Sequence, residues 1–326
     1  MNSMRLSYSL GSLLTIEQIL ECSKKLNGFK PDTVWIPETW GMENFSMLSL
    51  ASKENNFSRI GSSIINIYSR SPSLIAMGAA TVDIISNKRL VLGLGTSSQP
   101  LVEDFHGDKF EKPLKRMKEY VEIIRLILCG KTVNYSGEIF SLKNFSLLIK
   151  PPRDRIPIYL AAVNQKMVEL TWKIADGVIF YLRPKSEIKT TLAKMQNQKK
   201  IDSSLQIITC VHEDSEKAMI RAKKTLAFYV SVGKIYREFL ASNGFENETK
   251  NIFEEYEKNG LQNNHEFVPE SMVHELCIAG TSDECRIQLM QFRETGIDLP
   301  IIQFNPTDSV EDSFDLVTST FSEGCD

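Results

Sequence analysis

Three short stretches of this 326-residue chain gather residue types that can do chemistry. In the first, residues 34–40 (VWIPETW), an apolar run breaks at Pro37 and delivers Glu38 and Thr39. A carboxylate placed there can relay a proton or orient a bound ring once burial moves its pKa towards neutrality. It can equally serve as a helix N-terminal charge or as one half of a surface ion pair. In the second, residues 156–167 (IPIYLAAVNQKM), Ala161, Ala162, Val163 and Asn164 lead into a helix at Gln165, Lys166 and Met167. Backbone N–H groups at a helix start hold phosphate-like anions, and Lys166 adds charge. The third, residues 175–188 (ADGVIFYLRPKSEI), carries Arg183 and Lys185, which either complete such a site or face solvent as ordinary surface charges.

Spacing and composition exclude other chemistries. Gly93 and Gly95 lack the third glycine of a dinucleotide fingerprint, and His106, Gly107 and Pro113 intervene before any helix. Close-packed strand ends account for these glycines. The four histidines, at 106, 212, 265 and 274, have no ligand spacing; the run HELC needs a second His where Ile278 stands, so no metal is expected. Six cysteines, at 22, 129, 210, 277, 285 and 325, show no CxxC and imply no disulfide framework. A formal charge of −3 gives nucleic-acid binding no electrostatic support. No apolar run approaches the ~18 residues of a membrane span, and the first twenty residues lack a secretory layout, so a cytoplasmic location is expected.

Chemistry at strand ends requires a scaffold that gathers strand ends. Residues 59–98 (RIGSSIINIYSRSPSLIAMGAATVDIISNKRLVLGLGTSS) read as one complete strand, loop, helix, strand unit. A β-branched run suits a strand buried on both faces, Pro72 sits in a first helical turn, and the next strand ends in Gly95, Thr96, Ser97 and Ser98. Strands are expected at 6–10, 33–36, 59–65, 90–94, 158–161, 177–180, 205–210 and 300–304, separated by amphipathic helices. That alternation predicts an α/β protein, a (β/α)8 TIM barrel forming a single domain over 1–326. Two insertions interrupt it: a hairpin near 132–145, and a polar helical segment near 233–269 that reads as a lid, a partner surface or a solvated hairpin.

The order Asn66, Tyr68, Ser69, Arg70, Pro72, a small-residue helix and LVLGLG, together with the three stretches above, resembles the bacterial-luciferase-like flavin and deazaflavin oxidoreductases. Within them it is most similar to the coenzyme F420-dependent branch that includes 5,10-methylenetetrahydromethanopterin reductase. The resemblance implies a luciferase-like barrel, a homodimer, and hydride transfer between F420 and a small organic substrate. The alternatives are an FMN-dependent monooxygenase and a non-catalytic flavin-binding barrel. It implies a non-prolyl cis peptide at Ser63–Ile64 backing the cofactor ring, with Asn66 and Thr96 nearby. Ala162, Val163, Asn164, Lys166, Arg183 and Lys185 would hold the cofactor's tail. Glu38 and Thr39 would be the catalytic pair, replacing the family's usual Asp-His, with Glu38 serving turnover rather than folding. Ser9 and Ser98 stand where the reductase pattern has carboxylates, which leaves the pterin substrate open. Tyr68 and Arg70 would close the pocket or shape their loop, and Trp40 and Phe105 read as pocket wall or core.

Overall fold

The computed structural model describes residues 5–11 and 13–322. Strand and helix alternate along the chain. It opens with β1 (Ser7–Ser9), α1 (Ile16–Lys25), β2 (Thr33–Ile36), α2 (Asn44–Glu54), β3 (Arg59–Ser62), β4 (Ile65–Asn66), α3 (Pro72–Ile85) and β5 (Leu90–Gly95). A π-helical turn at Leu101–Phe105 precedes α4 (Pro113–Leu128) and the hairpin β6 (Val133–Ser136) and β7 (Ser141–Phe145). Next come β8 (Ile158–Ala161), α5 (Gln165–Ile174), β9 (Gly177–Tyr181), α6 (Lys185–Gln196) and β10 (Asp202–Val211). The chain closes with α7 (Ser215–Val232), α8 (Lys234–Leu240), α9 (Glu246–Asn259), α10 (Glu270–Leu276), β11 (Cys277–Gly280), α11 (Ser282–Arg293), β12 (Leu299–Phe304) and α12 (Val310–Ser322). The fold is the expected (β/α)8 barrel with insertions. No helix among the described residues is long and apolar enough to cross a membrane.

The chain divides into two compact units, Leu10–Ile179 and a second made of the residues up to Ser9 with Phe180 onward. In the first, β2, β3, β5, β8 and β9 pair in parallel, with Ile36 opposite Ser62, Gly61 opposite Val91, and Leu92 opposite Ile158. Their side chains are almost wholly buried, as a sheet covered on both faces requires. In the second, β1 pairs with β12, and β10 pairs with β12 and then with β11, again in parallel. The helical insertion belongs to this unit and is not merely solvated: Leu240, Phe245, Ile252 and Val268 join Leu226 and Val230 of α7 in a buried cluster.

Helix starts follow the local signals. Ser71 caps α3 with Pro72 in the first turn, Asn164 caps α5, and Thr15 with Gln18 forms a capping box on α1. Two differences from the expected strands have physical reasons. The run 59–65 is two strands, because the chain leaves the β3 ladder at Ser63–Ile64 and rejoins β5 at Ile65. Strand β11 follows α10 with no turn between them, so its apolar run is not marked off from the helix. All five described cysteines are free; Cys129 is exposed, while Cys22, Cys210, Cys277 and Cys285 are buried. Cys325 lies outside the described residues.

At the N-terminal side of the first unit's strands, Asp176 accepts from Ile158 N (2.9 Å) and Arg125 Nη2 (2.9 Å), and it also pairs with Arg155. Burial pushes its carboxyl up, but the Ile158 N–H and the two guanidinium groups more than offset this, and its pKa lies below the usual carboxylate value. A depressed native pKa contributes stability above the unfolded-state value of about 4 and loses it as pH falls through the native value. Asp176→Asn should therefore cost about 2 kcal/mol at pH 7, by the worth of charge-assisted hydrogen bonds. Urea denaturation at falling pH should show the gap to wild type closing below about pH 4.

Candidate active site

Active sites of this architecture lie at the C-terminal ends of the strands, and in the first unit those ends are tied together by charge. Glu38, just after β2, receives a two-pronged contact from Arg70: Nη1 to Oε2 at 2.8 Å and Nη2 to Oε1 at 2.5 Å. The Asn44 backbone N–H donates to the same carboxylate at 3.2 Å, and that of Asn66 lies at 3.5 Å. Arg70 Nη2 also reaches Glu43 Oε1 at 2.6 Å, and Glu43 in turn caps α2. The two side chains of the central pair are only 12% and 10% exposed. The bonds to Glu38 are the chief cause that raises the Arg70 pKa. Glu38 is thus half of an ion pair, largely buried rather than at the surface, and it also accepts from the N–H of the first residue of α2. Thr39 follows, half-buried in the bend.

The Ser63–Ile64 peptide is cis, as the resemblance implied. Its geometry rests on two small residues of β5. A Cβ on Gly95 would meet Ile64 Cδ1 at 2.5 Å, and one on Gly93 would collide with the Ser62 carbonyl oxygen. Ser62 Oγ bridges the gap in the ladder, accepting from Gly93 N at 2.8 Å and donating to Gly93 O at 2.9 Å. Beyond the bulge, Asn66 is 2% exposed, and its Oδ1 accepts from Tyr68 N at 2.9 Å. Asn66 Nδ2 and Ser63 Oγ are buried with no hydrogen-bond partner. Such atoms are uncommon in folded proteins and call for an acceptor or a donor from elsewhere.

Thr96 and Ser97 follow β5, Ser97 with a positive φ of 59°, and Thr96 is half-buried. Ala162 is buried and Val163 half-buried ahead of α5. Asn164 is the N-cap, its Oδ1 accepting from Met167 N at 3.0 Å, and Lys166 stands exposed in the first turn. In the second unit Arg183 is buried, paired with Glu187 and stacked on Phe180 (4.5 Å) and Phe239 (4.6 Å). Burial lowers its pKa. Lys185 Nζ hydrogen-bonds the neutral Gln291 amide at 2.9 Å, and burial lowers its pKa too. Trp40 and Phe105 are both 60% exposed, which rules out a core role for either.

The structure thus brings Glu38, Asn66 and Arg70 into one cluster, and Ser63, Ile64 and Gly95 into another on the adjoining strands. Glu43 and Asn44, which complete the first cluster, were not singled out from sequence. A carboxylate at the start of an apolar helix was their only signal. No group of His, Cys, Asp or Glu among the described residues could hold a metal ion.

A family model described as luciferase-like monooxygenase matches residues 4–299. A 5,10-methylenetetrahydromethanopterin reductase of Archaeoglobus fulgidus is 31% identical over 82% of this chain and 83% of its own length. A putative coenzyme F420-dependent oxidoreductase of Mycobacterium tuberculosis is 26% identical over 88% and 90%. Among solved structures, the coenzyme F420-dependent tetrahydromethanopterin reductase from Methanopyrus kandleri superposes with a TM-score of 0.84 at 21% identity, covering 98% of both chains.

Because the Glu38 carboxylate and the Arg70 guanidinium are both largely withdrawn from water, removing either leaves a charge under-compensated. Glu38→Gln and Arg70→Ala should each lower stability by about 1–3 kcal/mol, and the double variant should lose clearly less than their sum. Chemical denaturation of the four proteins measures the coupling. Strict additivity would show that the pair does not act as a unit.

Proposed function

The chain belongs to the luciferase-like monooxygenase family, and from that premise we propose that it is a coenzyme F420-dependent oxidoreductase that moves a hydride between the deazaflavin and a small organic substrate. One observation carries the reading: the bulge between β3 and β4, where Ile64 lies across Gly95 and two buried polar atoms, Ser63 Oγ and Asn66 Nδ2, have no partner. A ring with polar edges fits residues of this kind, with an apolar side chain for its face and unspent donors for its rim. The F420-dependent relatives favour a deazaflavin over FMN as that ring.

When bound, F420 supplies a two-electron hydride carrier. The chain's own residues do the rest. Ile64 supports the ring, and Ser63 and Asn66 hydrogen-bond its edge. Thr96 lies on the loop that follows β5. The α5 start, with Ala162, Val163, Asn164 and Lys166, attracts the anionic tail through N–H groups and charge. In the second unit Arg183 is paired with Glu187, while Lys185 Nζ meets the Gln291 amide and its backbone N–H donates to Glu275. Glu38 acts by holding Arg70 and the Asn66 backbone in place rather than as a free acid, and the Thr39 hydroxyl is the remaining polar group of that bend. With serines at 9 and 98, proton delivery by carboxylates at those positions is not part of this reading.

We place the enzyme in the cytoplasm as a homodimer. Leu74, Met77 and Ile84 are each about half exposed along α3, as is Leu50 of α2. An apolar stripe of this kind marks an association surface. Light scattering should give twice the chain mass for the wild type and a shift towards monomer for Met77→Glu. A monomeric wild type would discard the stripe as a dimer face.

Fluorescence titration tests the cofactor. F420 should bind at micromolar concentration and FMN should not. Micromolar FMN binding without F420 binding would replace the reading with an FMN-dependent one.

A further inference from the structure

The loop 66–70 is held by Glu38 and, independently, by a second set of contacts that no cofactor role explains. The Tyr120 hydroxyl on α4 donates to the Arg70 carbonyl at 2.5 Å. Phe140, at the tip of the β6–β7 hairpin, meets the Tyr120 ring edge-on at 5.1 Å. That tip is fixed by Glu119, a carboxylate only 5% exposed, which accepts from Glu138 N (2.9 Å), Ile139 N (3.1 Å) and Phe140 N (2.9 Å). A Cβ on Gly137 would run into the same carboxylate, so the close approach depends on glycine there. Arg116, one turn before Tyr120, lies over Tyr68 at 4.4 Å and over Phe140 at 5.5 Å. Tyr68 also stacks on Phe110 at 5.2 Å, and its hydroxyl donates to Glu111 O at 2.8 Å.

These contacts end on one atom. Tyr68 N–H occupies Asn66 Oδ1, which fixes the amide so that Nδ2 is the donor left over. We infer that Tyr120, backed by the hairpin, is a positioning residue for the cofactor: it fixes loop 66–70 so that the Asn66 amide donor meets the ring edge. This rests on the F420 reading above. The hairpin is then a brace for the binding loop and not a surface ornament. Burial pushes the Tyr120 hydroxyl up to about 12, so it stays a donor across the physiological range. A fixed donor binds without first surrendering rotational freedom, and a loosened one forfeits part of its hydrogen bond.

The test compares two single-oxygen deletions. Tyr120→Phe removes the bond to loop 66–70. Tyr135→Phe removes another tyrosine hydroxyl's bond, from the hairpin to the Glu122 carboxylate on α4 at 2.7 Å, which does not involve the loop. Tyr120→Phe should weaken F420 binding by about 3- to 10-fold, the worth of one lost hydrogen bond, and Tyr135→Phe by less than about 2-fold, at similar melting temperatures. Hydrogen exchange of the cofactor-free protein should show faster exchange at the amides of 66–70 in Tyr120→Phe and not in Tyr135→Phe. Equal exchange in the two variants, or unchanged F420 affinity in Tyr120→Phe, would overturn the inference. A wild type that binds no F420 would defeat the functional reading, and the exchange comparison would still decide the brace.

Discussion

The loops that follow β2 and β4 are held together by one guanidinium. Arg70 faces Glu38 from the β2 loop and Glu43 from the cap of α2, while its own backbone carbonyl is taken by α4. The planar fork of arginine suits this task because it offers several N–H groups in fixed directions, where a lysine ammonium would offer a point charge. A pair this well withdrawn from water adds little net stability over an apolar substitute, yet it is costly to break from one side. Its value is therefore geometric. It sets where the β2–α2 loop, loop 66–70 and α4 meet.

Glycine plays the complementary part on β5. Gly93 lies where the Ser62 backbone comes too close for any other residue, and a side chain on Gly95 would displace that of Ile64. The strand thus trades side-chain packing for room. The consequence is a break in the sheet ladder patched by the Ser62 hydroxyl, and two polar atoms, Ser63 Oγ and Asn66 Nδ2, left buried without partners. Charge on one side and absent side chains on the other define the same short segment.

The alternation of buried runs and amphipathic helices was legible in the sequence, because parallel strands covered on both faces leave near-continuous apolar runs. Residues 33–36 and 158–161 coincide with β2 and β8. Strand β11 was not legible, since it follows α10 without a break and its apolar run merges with that of the helix. At the site, Glu38 was visible as a carboxylate after a strand and Arg70 as a loop residue, but their pairing was not. A salt bridge between positions 38 and 70 leaves no local trace, and neither does the contact of position 120 with position 70. The Asn66 donor was hidden for a different reason: its significance lies in what its other atom is already doing.

The thiols of the second unit have a use as reporters. Cys210, Cys277 and Cys285 cluster where β10 meets β11, and burial raises all three, Cys210 to about 12. A thiol that is both inaccessible and protonated cannot react with alkylating reagents until the surrounding strands part. Cys129, exposed at the end of α4, has no such protection. Among the described thiols, alkylation of the native protein therefore separates the prompt Cys129 from slow sites, and the rates at Cys210, Cys277 and Cys285 time the local opening of the β10–β11 seam.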